Sequence, residues 1–206
     1  MGFLVLRLLF RKRLIKERNA RQGFHTSDRI LIFYLPATLV LMTTVSTAAF
    51  RKLVANPVNL KLFLLKNLPM AYLAGIRIRK LTDQEAQVVI KYRYITKNPF
   101  RSIYFACLAM AAEMASGVLS MMHLYQAQPS VSMLVVGMEA EFSKKAVGTI
   151  TFTCSDGEAI AAAVRVAQRT GQGSNLQAVS IGRDGKGEEV ARFRITWSYK
   201  ARATKA

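Results

Sequence analysis

Glu113 is the one formally charged residue between Arg101 and His123, in the middle of the stretch TKNPFRSIYFACLAMAAEMASGVLSMM, Thr96 to Met122. An apolar setting penalises the ionised carboxylate, so its pKa rises toward the range useful for proton transfer. Such a group can activate water as a general base or attack an electrophilic carbonyl directly. The structural alternative is a carboxylate bonded to Ser116, to a tyrosine or to a neighbouring chain.

The other titratable residues offer less. His123 falls near the end of the same run, where a cation complements a helix dipole, and no Ser-His-Asp set converges with it. Glu139 and Glu141 share one strand face and could make an acid/base pair, but they are expected opposite Arg192 and Arg194 or in solvent. Cys107 and Cys154 form no CxxC and no Cys/His cluster, so they read as small buried hydrophobes in a reducing compartment, and no metal site is expected. The glycines of RTGQG and GRDGKG are turn-formers without a phosphate-loop pattern.

The element that positions Glu113 reads as a helix over 99–124, with Asn98 as N-cap and Pro99 in the first helical position. A helix apolar on all faces either spans a membrane or is wrapped by protein. A carboxylate at the bilayer centre would cost about 2.5–3.5 kcal/mol. The neighbouring segments are amphipathic strands that need a core to cover, which favours wrapping. GIRIRKL and EAQVVIKYRYI alternate around Asp83, SVSMLVVGMEAEF and GTITFTC follow the helix, and DGEAIAAAVRVAQRTG is a second helix with a Gly stop. SNLQAVSIG and EEVARFRITWSYK flank the hairpin signal RDGKG. In the last strand Phe193, Ile195, Trp197 and Tyr199 point one way and Arg192, Arg194, Thr196, Ser198 and Lys200 the other. Upstream, Leu60, Phe63, Leu64 and Leu68 recur at helical spacing in a short amphipathic helix ending near Pro69.

The 206 residues carry 30 Lys and Arg against 12 Asp and Glu, a net charge of +18, with no acid between Arg29 and Thr82. That balance favours anionic partners. Arg77, Arg79, Lys91, Arg93, Arg192 and Arg194 alternate along strands as a basic sheet face, which reads first as solvated and second as a clamp for the nucleotide part of coenzyme A. Tyr92, Tyr94, Phe193 and Trp197 fall on the opposite, core-facing parity, which argues against stacking of bases and so against a nucleic-acid partner. Residues 1–49 form a basic and apolar extension, read as an early start or a membrane anchor through the uncharged run 30–50, and residues 50–206 form the domain.

NPFRS at the start of the long helix, SMLVV followed by MEAEF, and the closing RITWSYKA resemble a bacterial subgroup of undefined function within the hotdog thioesterase superfamily. The spacing of Asn98 and Ala111-Ala112-Glu113 is also similar to the phenylacetic-acid-degradation type of that superfamily, with Tyr104-Phe105-Ala106 where that type has His-Gly-Gly. The resemblance covers roughly residues 50 to 202. It implies an α+β hotdog fold, an antiparallel sheet of five to six strands wrapped around one long helix. It further implies an acyl-thioester (acyl-coenzyme A) hydrolase with Glu113 as general base or nucleophile. Asn98 would hold water or the substrate carbonyl, backbone N–H groups around Tyr104 and Phe105 would form an oxyanion hole, and Ser102, Tyr104 and Phe105 would line the substrate. No cofactor is expected, and a cytoplasmic homodimer or higher homo-oligomer is. A hotdog protein that binds an acyl or lipid-like ligand without catalysis is the alternative.

Overall fold

The computed structural model describes residues 47–202. The expectations for the basic leader and for most of the 30–50 run therefore lie outside the described residues. Residues 47–55 are helical, and Thr47 and Phe50 are buried, so packing reaches slightly upstream of position 50. Helix α1 (Pro57–Asn67) follows, capped by the Asn56 side chain, which accepts the Val58 and Asn59 N–H groups. Pro57 suits the first turn because its missing N–H is one a helix start leaves unpaired. Leu64 is buried, and Leu60 and Phe63 pack against the core, but Leu68 is the exposed C-cap residue before α2 (Pro69–Leu73).

Six strands follow: β1 (Arg77–Leu81), β2 (Ala86–Lys91), β3 (Val131–Phe142), β4 (Thr149–Cys154), β5 (Ser174–Arg183) and β6 (Glu189–Ala201). They form one sheet in the order β1-β2-β4-β5-β6-β3, with every neighbouring pair antiparallel. Helix α3 (Phe105–Leu124) packs against β2, β4, β5 and β6, and α4 (Gly157–Thr170) packs against α3, β5 and β6. The alternation of β6 holds: Phe193, Ile195, Trp197 and Tyr199 are buried in one cluster with Leu108, Ala112, Ala115 and Leu119 of α3. Burying each large apolar side chain there contributes about 1.5–3 kcal/mol. This is the hotdog arrangement, a six-stranded antiparallel sheet around one helix. Helix α3 is long and apolar enough to cross a membrane, but most of it is enclosed by protein.

Three local expectations are overturned. Helix α3 begins at Phe105, not Pro99: Arg101 adopts a left-handed conformation (φ 60°), and a bridge from Lys97 to Ile103 closes residues 98–102 into a loop. Asn98 caps that loop, its side-chain oxygen accepting the Phe100 and Ser102 N–H groups. The YRYI segment does not extend β2. The strand ends at Lys91, Tyr94–Thr96 forms a 3-10 turn, and Tyr92 and Tyr94 are exposed rather than core-facing. The turn is held by buried Thr96, whose hydroxyl donates to the Lys91 carbonyl and accepts the Arg93 N–H.

The six basic residues do not form one patch. The register puts Arg77, Lys91, Arg192 and Arg194 on one outer face but splits them between two parts of the sheet, and Arg93 lies beyond the end of β2. Arg77, Arg79, Lys91 and Arg93 belong to the β1–β2 end of the sheet, whereas β6 lies beyond β4 and β5. Arg192 is paired with Glu189 and Arg194 with Glu141, so these two are already neutralised.

Candidate active site

Glu113 is half-buried in α3, as are Ala106, Ala109, Met110, Met121, His123 and Leu124. Residues 114–120 are all buried, so Glu113 is the last half-buried position before a fully enclosed stretch of the helix. It thus keeps partial exposure beside that stretch. Its carboxylate folds along the helix toward Gly117. A Cβ built on Gly117 would lie 3.3 Å from Glu113 Oε1 and 3.5 Å from the Trp197 ring. The absent side chain of Gly117 is therefore the space the carboxylate uses.

No described residue hydrogen-bonds or ion-pairs with that carboxylate. Nor is any side-chain oxygen among the described residues sealed from solvent without a partner, so the carboxylate keeps contact with water. Burial raises its pKa above the ordinary 4.5, because removing water from around a charge favours the protonated form. Ser116 does not bond the carboxylate. It donates to the Glu113 backbone carbonyl (3.2 Å) and accepts the Trp197 indole N–H (3.0 Å). Tyr199 and Ser120 meet at 2.7 Å, and Ser180 donates to the Ala112 carbonyl (2.8 Å). These links fix the register of α3 on the sheet. Trp197 pairs with Val135 of β3, an edge strand, so Glu113 and Gly117 lie toward the β6–β3 end of the sheet.

The start of α3 offers a second group of polar atoms. Tyr104 N–H is consumed by the Thr96 carbonyl (2.8 Å), which removes it as an oxyanion donor. Cys107 and Leu108 N–H groups bond to the Tyr104 carbonyl. The Phe105 and Ala106 N–H groups remain, the unpaired donors that every helix start presents. Tyr104 and Phe105 are exposed and contact edge to face at 4.9 Å between ring centroids. Ser102 is buried, 7% exposed, and shares hydrogen bonds with Asn98. Asn98 and Ser102 thus come together as the framework of the 97–103 loop, while Tyr104 and Phe105 sit at its mouth. Glu113 is eight residues beyond Phe105, about 12 Å along the axis at 1.5 Å per residue.

The remaining titratable groups are accounted for by structure. His123 rests on the Asp83 carbonyl (Nε2 to O 3.3 Å), and Asp83 pairs with Arg51. Glu141 pairs with Arg194, and Glu139 lies opposite the same arginine in the β3–β6 register. Among the described residues no group of His, Cys, Asp or Glu could hold a metal ion.

The profile of a family described as a domain of unknown function (DUF4442) matches residues 59–199. The chain belongs to the DUF4442 family. No curated protein matches it. Among solved structures, it is similar to a Pseudomonas aeruginosa protein of unknown function described as a "probable thioesterase". That match has 20% identity and a TM-score of 0.61, covering 71% of this chain and 97% of that one. It is also similar to a Chlorobaculum tepidum protein of unknown function, at 15% identity and a TM-score of 0.61, covering 76% and 97%. These likenesses establish that DUF4442 here takes the same fold.

Gly117 was not singled out from the sequence, and Trp197 was read only as a core-facing residue of the last strand. Glu113, Ser116 and Gly117 do show the i, i+3, i+4 spacing that brings residues to one helix face, a usable signal. That Trp197 meets them depends on the register between β6 and α3, which no local pattern encodes.

Proposed function

We propose that this DUF4442 protein is an acyl-thioester hydrolase, with acyl-coenzyme A as substrate and Glu113 as the general base. The observation that carries the reading is the Glu113 carboxylate, half-buried, raised in pKa by burial and without a partner among the described residues, with Gly117 leaving space for it. Glu113 takes a proton from water as the water oxygen adds to the thioester carbonyl. The C–S bond then breaks, and the thiolate leaves with the proton that Glu113 returns. Direct attack by the carboxylate, through an anhydride that water then opens, is the nucleophilic variant of the same scheme. The Phe105 and Ala106 N–H groups at the positive end of α3 stabilise the oxyanion. Asn98 and Ser102 hold the loop that sets those donors in place, and the Tyr104 and Phe105 rings line the approach.

The separation of about 12 Å within one chain exceeds what a single carbonyl can bridge, since base and donors must each lie within about 3 Å of the reacting atoms. The reading therefore joins Glu113 of one copy to the α3 start of a second, in a homodimer formed along the sheet edge. The edge strand β3 supports this, because Leu134, Val136 and Met138 are exposed along it. The resemblance to hotdog proteins, which join sheets at their edges, points the same way.

A second reading, ligand binding without hydrolysis, draws on Phe105, which sets a large ring beside the donor that the chemistry needs. The two are separated by thiol release from acetyl- to palmitoyl-coenzyme A by the full chain beside Glu113→Gln. Turnover that Glu113→Gln lowers at least about a hundredfold in a folded protein supports the hydrolase. Absence of turnover on every chain length, with saturable acyl-coenzyme A binding, supports the binder.

A further inference from the structure

Helix α1 is apolar on two opposite faces. Leu60, Phe63 and Leu64 face the core. At 100° per residue, Val58, Leu62 and Leu65 fall together on the far side, and they are 61%, 60% and 52% exposed. Lys61 and Lys66 flank this outer stripe, one on each side, and no acidic partner for either is found among the described residues. Helix α2 continues the exposure with Met70 and Leu73, three residues apart, while Ala71 and Ala74 are buried. The Arg93 guanidinium lies over Gly75 at the end of α2, adding a third cation. An exposed apolar stripe bordered by lysines is the pattern of a helix that lies in a membrane interface, apolar side in the acyl boundary and lysines at the headgroups.

We infer that the outer face of α1 and α2 docks on an anionic lipid bilayer. Charge complementarity selects this occupant over two others. A second copy docked through the same face would set Lys61 and Lys66 against their own counterparts. The chain's own residues 1–46 hold eight basic and two acidic residues, so they too would add positive charge. An anionic headgroup layer supplies the opposite sign, and its acyl region accepts Val58, Leu62 and Leu65. The absence of any acid between Arg29 and Thr82 leaves nothing in this segment to repel that surface. The inference stands whether or not Glu113 is catalytic.

The test uses the full chain with sedimenting vesicles of phosphatidylcholine alone, or of phosphatidylcholine and phosphatidylglycerol in equal parts. The parent should partition onto the anionic vesicles and be released by salt. Leu62→Glu with Leu65→Glu should weaken that partition at least about tenfold while circular dichroism stays unchanged, because both leucines are exposed. Leu62→Trp, a change that keeps the stripe apolar, should shift its emission to the blue and be quenched by brominated lipid. Buried Trp197 should stay unaffected as an internal reference. Unchanged partition of the Leu62/Leu65 variant would place binding in residues 1–46 and overturn the inference. So would an unquenched Leu62→Trp, or a variant whose oligomeric mass in light scattering falls while its partition does not.

Discussion

Glu113 and Gly117 stand one helical turn apart, and the carboxylate of the first occupies the space a Cβ on the second would crowd, at 3.3 Å from Oε1. The neighbouring Trp197 ring, 3.5 Å from the same point, closes the other side. A methyl at position 117 must therefore displace something. The carboxylate is a flexible side-chain end with no partner among the described residues, whereas Trp197 is held by its bond to Ser116.

Gly117→Ala is accordingly expected to move the carboxylate and leave the fold intact. Replacing glycine within a helix favours the helix by roughly 0.5–1 kcal/mol, which offsets the crowding. The melting temperature should stay level or rise, while thioester hydrolysis falls roughly ten- to a hundredfold through misplacement of the base. Thermal melts and kcat/KM measured on one preparation check this. Equal losses in both would mean that the glycine serves packing alone.

Much of this arrangement is legible in the sequence. The alternation of Phe193, Ile195, Trp197 and Tyr199 reports one buried sheet face because strand side chains must alternate. The all-round apolarity of α3 reports a wrapped helix. Local signals failed where two structures share one signature. Asn98-Pro99 suits a helix start and a turn equally, and the contact that decided between them, Ile103 N–H to the Ala146 carbonyl (2.8 Å), is remote in sequence. Tyr92 and Tyr94 continue the strand pattern of β2, but Thr96 draws the chain into a turn by bonding back to the Lys91 carbonyl. The setting of Glu113 likewise depends on Trp197, 84 positions away, and so on tertiary register.

Ser116→Ala should destabilise the protein by about 1–3 kcal/mol, because it leaves the Trp197 indole N–H buried without an acceptor. Tyr199→Phe should cost less, about 0.5–1.5 kcal/mol, since Ser120 also donates to the Ser116 carbonyl at 2.9 Å and keeps a partner. Urea titration of the two variants ranks them. The reverse order would show that the Tyr199–Ser120 bond, not the indole bond, ties α3 to β6.

Both cysteines should be silent toward thiol reagents in the folded protein. Cys107 and Cys154 are buried, and burial raises both thiols, Cys154 to about 12, so little thiolate exists at neutral pH. Dithionitrobenzoate should report no fast-reacting protein thiol before denaturation and two after it. Released coenzyme A can then be read with the same reagent without background from the protein. Rapid labelling of either cysteine in the native state would contradict the packing around α3 or β4.

The pH behaviour of Glu113 ties its chemistry to its cost. Its folded pKa lies above the ordinary 4.5, so the native state holds the proton more tightly than the unfolded chain does. Stability conferred by the protonated form is complete below 4.5 and is lost as pH rises through the folded pKa. Glu113→Gln carries no such penalty. It should be more stable than the parent at neutral pH, and the difference should shrink to nothing as pH falls below the ordinary carboxylate range. A general base must be ionised, so kcat/KM of the parent should rise with pH through that same elevated pKa. Melting curves and kcat/KM across pH should therefore show opposite trends over one window. Activity that rises at the ordinary carboxylate pKa, with no stability gain in Glu113→Gln, would mean the carboxylate is fully solvated and would remove the basis for its role.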